Sequence, residues 1–214
     1  MKALTLSLGI FALARAAPAP SPDPLSGATI VDQQVTVQVF PDQPPVTLNG
    51  TLQEVEAQLR QLNPDWDSTT ASGSNQARAA VPDDVNAAAG LEKRVDEDWS
   101  KAKVICSQGN WGYVNNLAYN EIVNIYENSW RSNTAAVLRP GPKKCGRLYC
   151  AYRTAFYACN DNAEKYSVHD FTVMSHAIRE MWKRCGNNEL HDMKGAQIFS
   201  PNKWNIIMEQ NLDC

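Results

Sequence analysis

The sequence predicts an α+β protein: a small disulfide-stapled α/β sandwich, two helices on an antiparallel sheet in the order β-α-β-β-α-β, preceded by a cleavable pro-segment. Three observations carry this expectation. All six cysteines (Cys106, Cys145, Cys150, Cys159, Cys185 and Cys214) lie after a dibasic pair, Lys93-Arg94. Beyond that pair, two stretches of helical apolar spacing alternate with short β-rich runs. The first residues have the make-up of an export signal.

Met1-Lys2 precedes an apolar run from Ala3 to Ala14, the length of a signal-peptide core and too short to span a bilayer. Ala14-Arg15-Ala16 has the small-x-small pattern of a signal peptidase site, which places a first cut after Ala16. No later segment reaches the ~20 apolar residues of a membrane helix. The expected product is extracellular, with no membrane span. Export puts the cysteines in an oxidising compartment, where an even number implies disulfides, with the pairing left open. No C-x-x-C pair occurs and the closest spacing is Cys145-x4-Cys150, so neither a metal site nor a cofactor is expected.

Residues 17–94 read as a pro-segment. A Pro-rich lead-in is followed by Gln34 to Phe40, where Val35, Val37 and Val39 alternate with polar residues as in a half-buried strand. Asn49-Gly50 is a turn signal, and Thr51-x-x-Glu54 is a capping box that opens a helix carrying Leu52, Val55, Leu59 and Leu62. Pro64 ends it. This strand-plus-helix unit spans 34–62, and a linker over 63–94 leads to the dibasic pair, where Lys93 and Arg94 are the expected processing residues. The unit's apolar stripe is expected either to cover part of the later domain, as a folding aid or mask, or to belong to a passive leader. Asn49-Gly50-Thr51 is the chain's one N-glycosylation sequon. Charge divides at the same point. Residues 17–94 hold 4 basic and 10 acidic side chains, residues 95–214 hold 14 and 13. The near-neutral second part presents no evident surface for nucleic acid or anionic lipid.

The mature domain, 95–214, opens with a strand at Lys103 to Cys106. Asn115 or Asn116 caps a helix carrying Leu117, Ala118, Ile122, Ile125, Tyr126 and Trp130. Arg147 to Tyr152 and Thr154 to Cys159 form a hairpin around Arg153, closed off by Asn160-Asp161-Asn162. Ser167-x-x-Asp170 is read as the cap of a second helix carrying Phe171, Met174, Ile178, Met181 and Cys185, with Gly186 as its C-cap. That helix would point Cys185 toward the core. Ala196 to Phe199 and Trp204 to Glu209 form the last hairpin.

His169 and His176 are expected seven apart on the solvent face of the second helix, ~10 Å from each other and too far to share a metal. His191 lies in a polar loop. A secreted ribonuclease would need a base, an acid and a phosphate-binding cation in one cleft. Glu121, His169, His176, His191, Arg147 and Arg153 supply the residue types without a recognised spacing, so no catalytic residue is assigned. Trp111 and Tyr113, in the loop Gln108-Gly-Asn-Trp-Gly-Tyr113, are the candidate binding surface for a protein or glycan.

The run GRLYCAYRTAFYACNDN (146–162), the helix ending in Cys185-Gly186 and the terminal strand ending in Cys214 resemble fungal small secreted cysteine-rich proteins. The element order is similar to that of smut-virus killer toxins and fungal necrosis-inducing extracellular effectors, over about residues 103–214. The killer toxins carry more cysteines and a basic surface than this chain does. The resemblance implies a non-enzymatic, effector- or toxin-like protein that binds a target in a host or competitor, and it carries over no catalytic residue. The alternatives are a small ribonuclease-like hydrolase and a cell-wall or glycan-binding module.

Overall fold

The computed structural model describes residues 22–40, 42–66, 97–125, 134–169, 171–186 and 192–214. The expected signal peptide, the greater part of the expected linker with Lys93-Arg94, Tyr126, Trp130, Asp170 and His191 lie outside the described residues.

The expected two-helix sandwich is not what forms. Among the described residues there are three helices and twelve strands in three sheets, and the fold is mostly β. The early strands are β1 (Thr29–Val31), β2 (Gln34–Val37) and β3 (Val46–Asn49), followed by α1 (Leu52–Leu62). After a 3-10 turn at Trp99–Lys101 come β4 (Lys103–Cys106), β5 (Tyr113–Asn115), α2 (Asn116–Asn124), β6 (Thr134–Leu138), β7 (Lys144–Ala151), β8 (Thr154–Asn160) and β9 (Tyr166–His169). The chain finishes with α3 (Thr172–Cys185), β10 (Asp192–Lys194), β11 (Ala196–Phe199) and β12 (Trp204–Gln210).

The sheet orders are β1-β7-β8-β12-β11-β4, β3-β2-β6-β9 and β5-β10. The β-branched and aromatic strands meet their expected neighbours: β7 pairs antiparallel with β8, and β11 with β12. A register shift between Arg147 and Tyr149 gives β7 a bulge. Two residues then stand against one, and both Leu148 and Tyr149 are fully buried.

The segment before the dibasic pair is built into these sheets. β1 pairs in parallel with β7, Thr29 opposite Lys144. β2 lies between β3 and β6, with Val35 opposite both Leu48 and Ala136. The capping box forms as its spacing predicts: Thr51 Oγ1 accepts from Glu54 N, and Glu54 Oε2 accepts from Thr51 N at 2.7 Å. The Thr51 backbone and side-chain hydrogen bonds hold the Glu54 carboxyl below its ordinary range. Leu52, Val55 and Leu59 face one core with Leu138, Leu148, Tyr149 and Phe156, whereas Leu62 is half exposed.

Two local readings are corrected as well. Ser167 is in β9, not at a helix N-terminus; α3 begins at Thr172 after Phe171, which makes no side-chain capping bond. Edge pairing of Tyr166–His169 with β6 wins over local capping. Gly186 has φ −72°, so it does not end α3 in the left-handed way; a Cβ there would lie 2.5 Å from the Trp182 carbonyl oxygen, and that close approach is what demands glycine.

All six cysteines pair: Cys106–Cys185, Cys145–Cys159 and Cys150–Cys214. The first ties the end of α3 to β4, the second crosses the β7–β8 ladder, and the third fixes the chain's last residue beside the β7–β8 turn. No helix of the described residues is long and apolar enough to cross a membrane.

Candidate functional site

One end of the six-stranded sheet gathers exposed apolar side chains. The β7–β8 hairpin turns on two residues, Tyr152 (φ 53°) and Arg153 (φ 56°), both in the left-handed region. That is the geometry in which Asn-Gly is favoured, because a side chain costs about 1–2 kcal/mol there. Tyr152 nevertheless stands at the tip, 47% exposed. Thr154 Oγ1 donates to the Tyr152 carbonyl (3.3 Å) and accepts from Asn115 N (3.0 Å), which fastens the start of α2 to the turn. Asn115 caps α2 by accepting from Leu117 N at 2.8 Å. Tyr113 and Leu117 flank that cap, 52% and 58% exposed. On the other side Asn211 N donates to the Arg153 carbonyl (2.9 Å), bringing exposed Leu212 and the Cys150–Cys214 bridge to the same end.

Charge is sparse and placed. Glu121, one turn after Leu117 on α2, lies beside both hairpin tyrosines. Its negative charge raises the Tyr152 pKa, while burial first and then Glu121 push Tyr149 up. The Tyr149 hydroxyl is buried beside Glu121. Lys194 stands opposite Tyr113 in the β5–β10 ladder. The surface is therefore tyrosine- and leucine-rich, with the carboxylates of Glu121 and Asp213 and the cations Arg153 and Lys194 around it. Among the described residues no group of three or more His, Cys, Asp or Glu could hold a metal ion.

Trp111 does not join this surface in the intact chain. It is buried, and its Nε1 donates to the Pro22 carbonyl at 2.9 Å. Tyr113, on the opposite side of the β5 pleat from buried Val114, is the exposed member of the predicted pair. The residues weighed for a ribonuclease sit on different elements. His176 is exposed on α3, and His169 is half-buried in β9 opposite Ala135, not on the helix. Glu121 faces tyrosines, and Arg147 on β7 lies near Glu54 and Tyr157. Asn49 is exposed on the edge strand β3, where its side chain accepts from Gln34 Nε2 at 3.3 Å.

No family model, curated protein or solved structure matches the chain. The site therefore rests on its own geometry. Nothing in the sequence marks Tyr152 or Leu212 for this surface, and Leu117, expected in the apolar stripe of its helix, is exposed instead. From sequence the first β-rich run ends at Tyr152 and leaves Arg153 alone between the runs, whereas the structure puts both residues in the turn.

Proposed function

We propose that this chain is a secreted, non-enzymatic, effector- or toxin-like protein that binds a protein target outside the cell through Tyr113, Leu117, Tyr152 and Arg153. The observation that carries this reading is the hairpin tip: two non-glycine residues held in the left-handed region, one an exposed tyrosine beside two further exposed apolar side chains. Backbone strain of this kind persists at functional positions. Exposed aromatic clusters with an arginine match the composition of interface hot spots. Three disulfides support an oxidising destination, and the apolar start of the sequence supports export.

Replacing Tyr152-Arg153 with Asn-Gly separates function from fold. The turn then has its favoured residues, so the melting temperature rises, while binding of the labelled protein to intact host or competitor cells falls at least tenfold. Unchanged cell binding by this variant and by Tyr113→Ala would sink the reading. RNA turnover that is lost in His176→Ala would replace it with a hydrolase, and retention on cell-wall polysaccharide abolished by Tyr113→Ala would replace it with a glycan-binding module.

A further inference from the structure

The position of the early strands bears on what a cut after Arg94 leaves behind. We infer that residues 22–66 are not released by a break in the 67–96 segment but stay as a second, non-covalently held subunit, so that the partner of the cysteine-rich part is the chain's own leader. This goes beyond the target-binding reading and does not depend on it.

Four observations converge. First, β2 is an interior strand: it is hydrogen-bonded to β3 of the leader on one side and to β6 of the later part on the other, over Gln34–Val37 in both ladders. Removing the leader would halve the four-stranded sheet and strip β7 of its parallel neighbour β1. Second, Val35, Val37, Leu52, Val55, Leu59 and Trp66 are buried in the same cluster as Leu138, Leu148, Tyr149 and Phe156. A contact of that kind resembles a domain core cut in two, the character of obligate interfaces. Leu25 and Ala28 cover the opposite face of the six-stranded sheet, over Cys145–Cys159, Tyr157 and Ile207. The leader thus packs on both faces.

Third, four hydrogen bonds cross the seam, although Gln53 Oε1 is buried there without a partner. Gln33 Nε2 donates to Val137 O (3.2 Å), Gln53 Nε2 to Cys150 O (3.3 Å), Thr29 N to Lys143 O (2.9 Å) and Trp111 Nε1 to Pro22 O (2.9 Å). Gly146 has no side chain where Gln33 packs; a Cβ there would lie 2.2 Å from Gln33 Oε1. Departure of the leader would break these part-buried hydrogen bonds, each of modest net worth, together with the packing around them. Fourth, no disulfide reaches the leader: all three lie within residues 106–214. The assembly after cleavage is therefore held by packing and hydrogen bonds alone.

The test uses the full secreted chain with a site-specific protease sequence inserted between Arg94 and Val95, cut after folding. Completeness of cutting is read on a denaturing gel run without reductant, where two fragments must separate. The native mass and the gel-filtration position of the cut protein are then compared with those of the uncut chain. The inference expects one species whose mass is the sum of both fragments, with no leader lost on the column, and a second peak only after denaturant is added. A leader fragment eluting separately under native conditions overturns it, whether residues 95–214 then remain folded or precipitate.

Discussion

Adding one methyl group at Gly146 tests how the leader is seated. The new Cβ would lie 2.2 Å from Gln33 Oε1, 3.0 Å from its Cδ and 3.1 Å from its Cα, so the Gln33 side chain must move. Gln33 is 2% exposed, and its Nε2 donates to Gln34 O at 2.7 Å and to Val137 O at 3.2 Å. Losing both bonds costs about 1 kcal/mol each. Crowding a filled site adds about 1–3 kcal/mol. Replacing glycine lowers the unfolded chain's entropy and returns about 0.4–1 kcal/mol. Gly146→Ala should therefore destabilise the full chain by about 2–4 kcal/mol. With alanine at position 33 most of the obstruction is gone, and the same substitution should cost less than about 1 kcal/mol, a coupling of roughly 2 kcal/mol. Urea unfolding of the four proteins of the cycle measures this. An equal cost of Gly146→Ala in both backgrounds, or no cost in the parent, would refute the packing of Gln33 against β7.

Three further outcomes are expected. Burial, with the Asp23 carboxylate nearby, raises the Glu209 pKa to about 7. The folded state then holds its proton longer than the unfolded chain, so this contribution is most favourable below about pH 4.5 and is lost as pH rises through 7. The full shift corresponds to about 3 kcal/mol, reduced to roughly 1–2 kcal/mol because the carboxyl is only partly shielded from water. Glu209→Gln should accordingly stabilise the protein at pH 8 and flatten the stability profile between pH 5 and 8; a parallel profile in chemical denaturation would count against it. Alanine at both members of Cys106–Cys185, which closes a separation of 79 residues, should cost about 4–5 kcal/mol in unfolding free energy, against about 3 kcal/mol for Cys145–Cys159 with a separation of 14. Equal losses would mean that loop closure does not set the difference. Thr51→Ala should cost about 1 kcal/mol through the lost cap of α1, read as a lower melting temperature, and a wild-type value would show that α1 does not need its capping box.

Much of this was legible where residue type and period agree. Lys103–Cys106, the hairpin of β7 and β8, the Asn115 cap and the Thr51-x-x-Glu54 box all follow from short-range rules, and the structure has them. The architecture was not legible, because it depends on pairings that no local pattern announces. Thr134–Leu138 is Ala-rich and too weakly alternating to read as a strand, yet it organises a sheet by joining β2 on one side and β9 on the other. Tyr166–His169 looks like a helix entry because Ser167 and Asp170 have the spacing of a cap, and strand pairing overrides it. For the site, Tyr113 was visible as an aromatic in a Gly/Asn loop. Trp111 next to it gave the same signal and is buried, since only the fold brings Pro22 over the indole. Tyr152 was hidden because its residue type contradicts the turn in which it sits.

The pairing of Thr29 with Lys144 and of Val35 with Ala136 also sets a clock on biosynthesis. The strands made first have partners made long afterwards, so no stable half of the protein can form while the ribosome is still at the linker. Sheet closure waits for β6 and β7, and the Cys150–Cys214 bridge waits for Cys214. Contacts so distant along the chain are slow to find, and the edge of the valine-lined strand β2 that pairs with β6 spends that interval open to aggregation. The yield of folded protein should accordingly be limited by the time between translation and closure, a quantity that chaperone supply would change and protease supply would not.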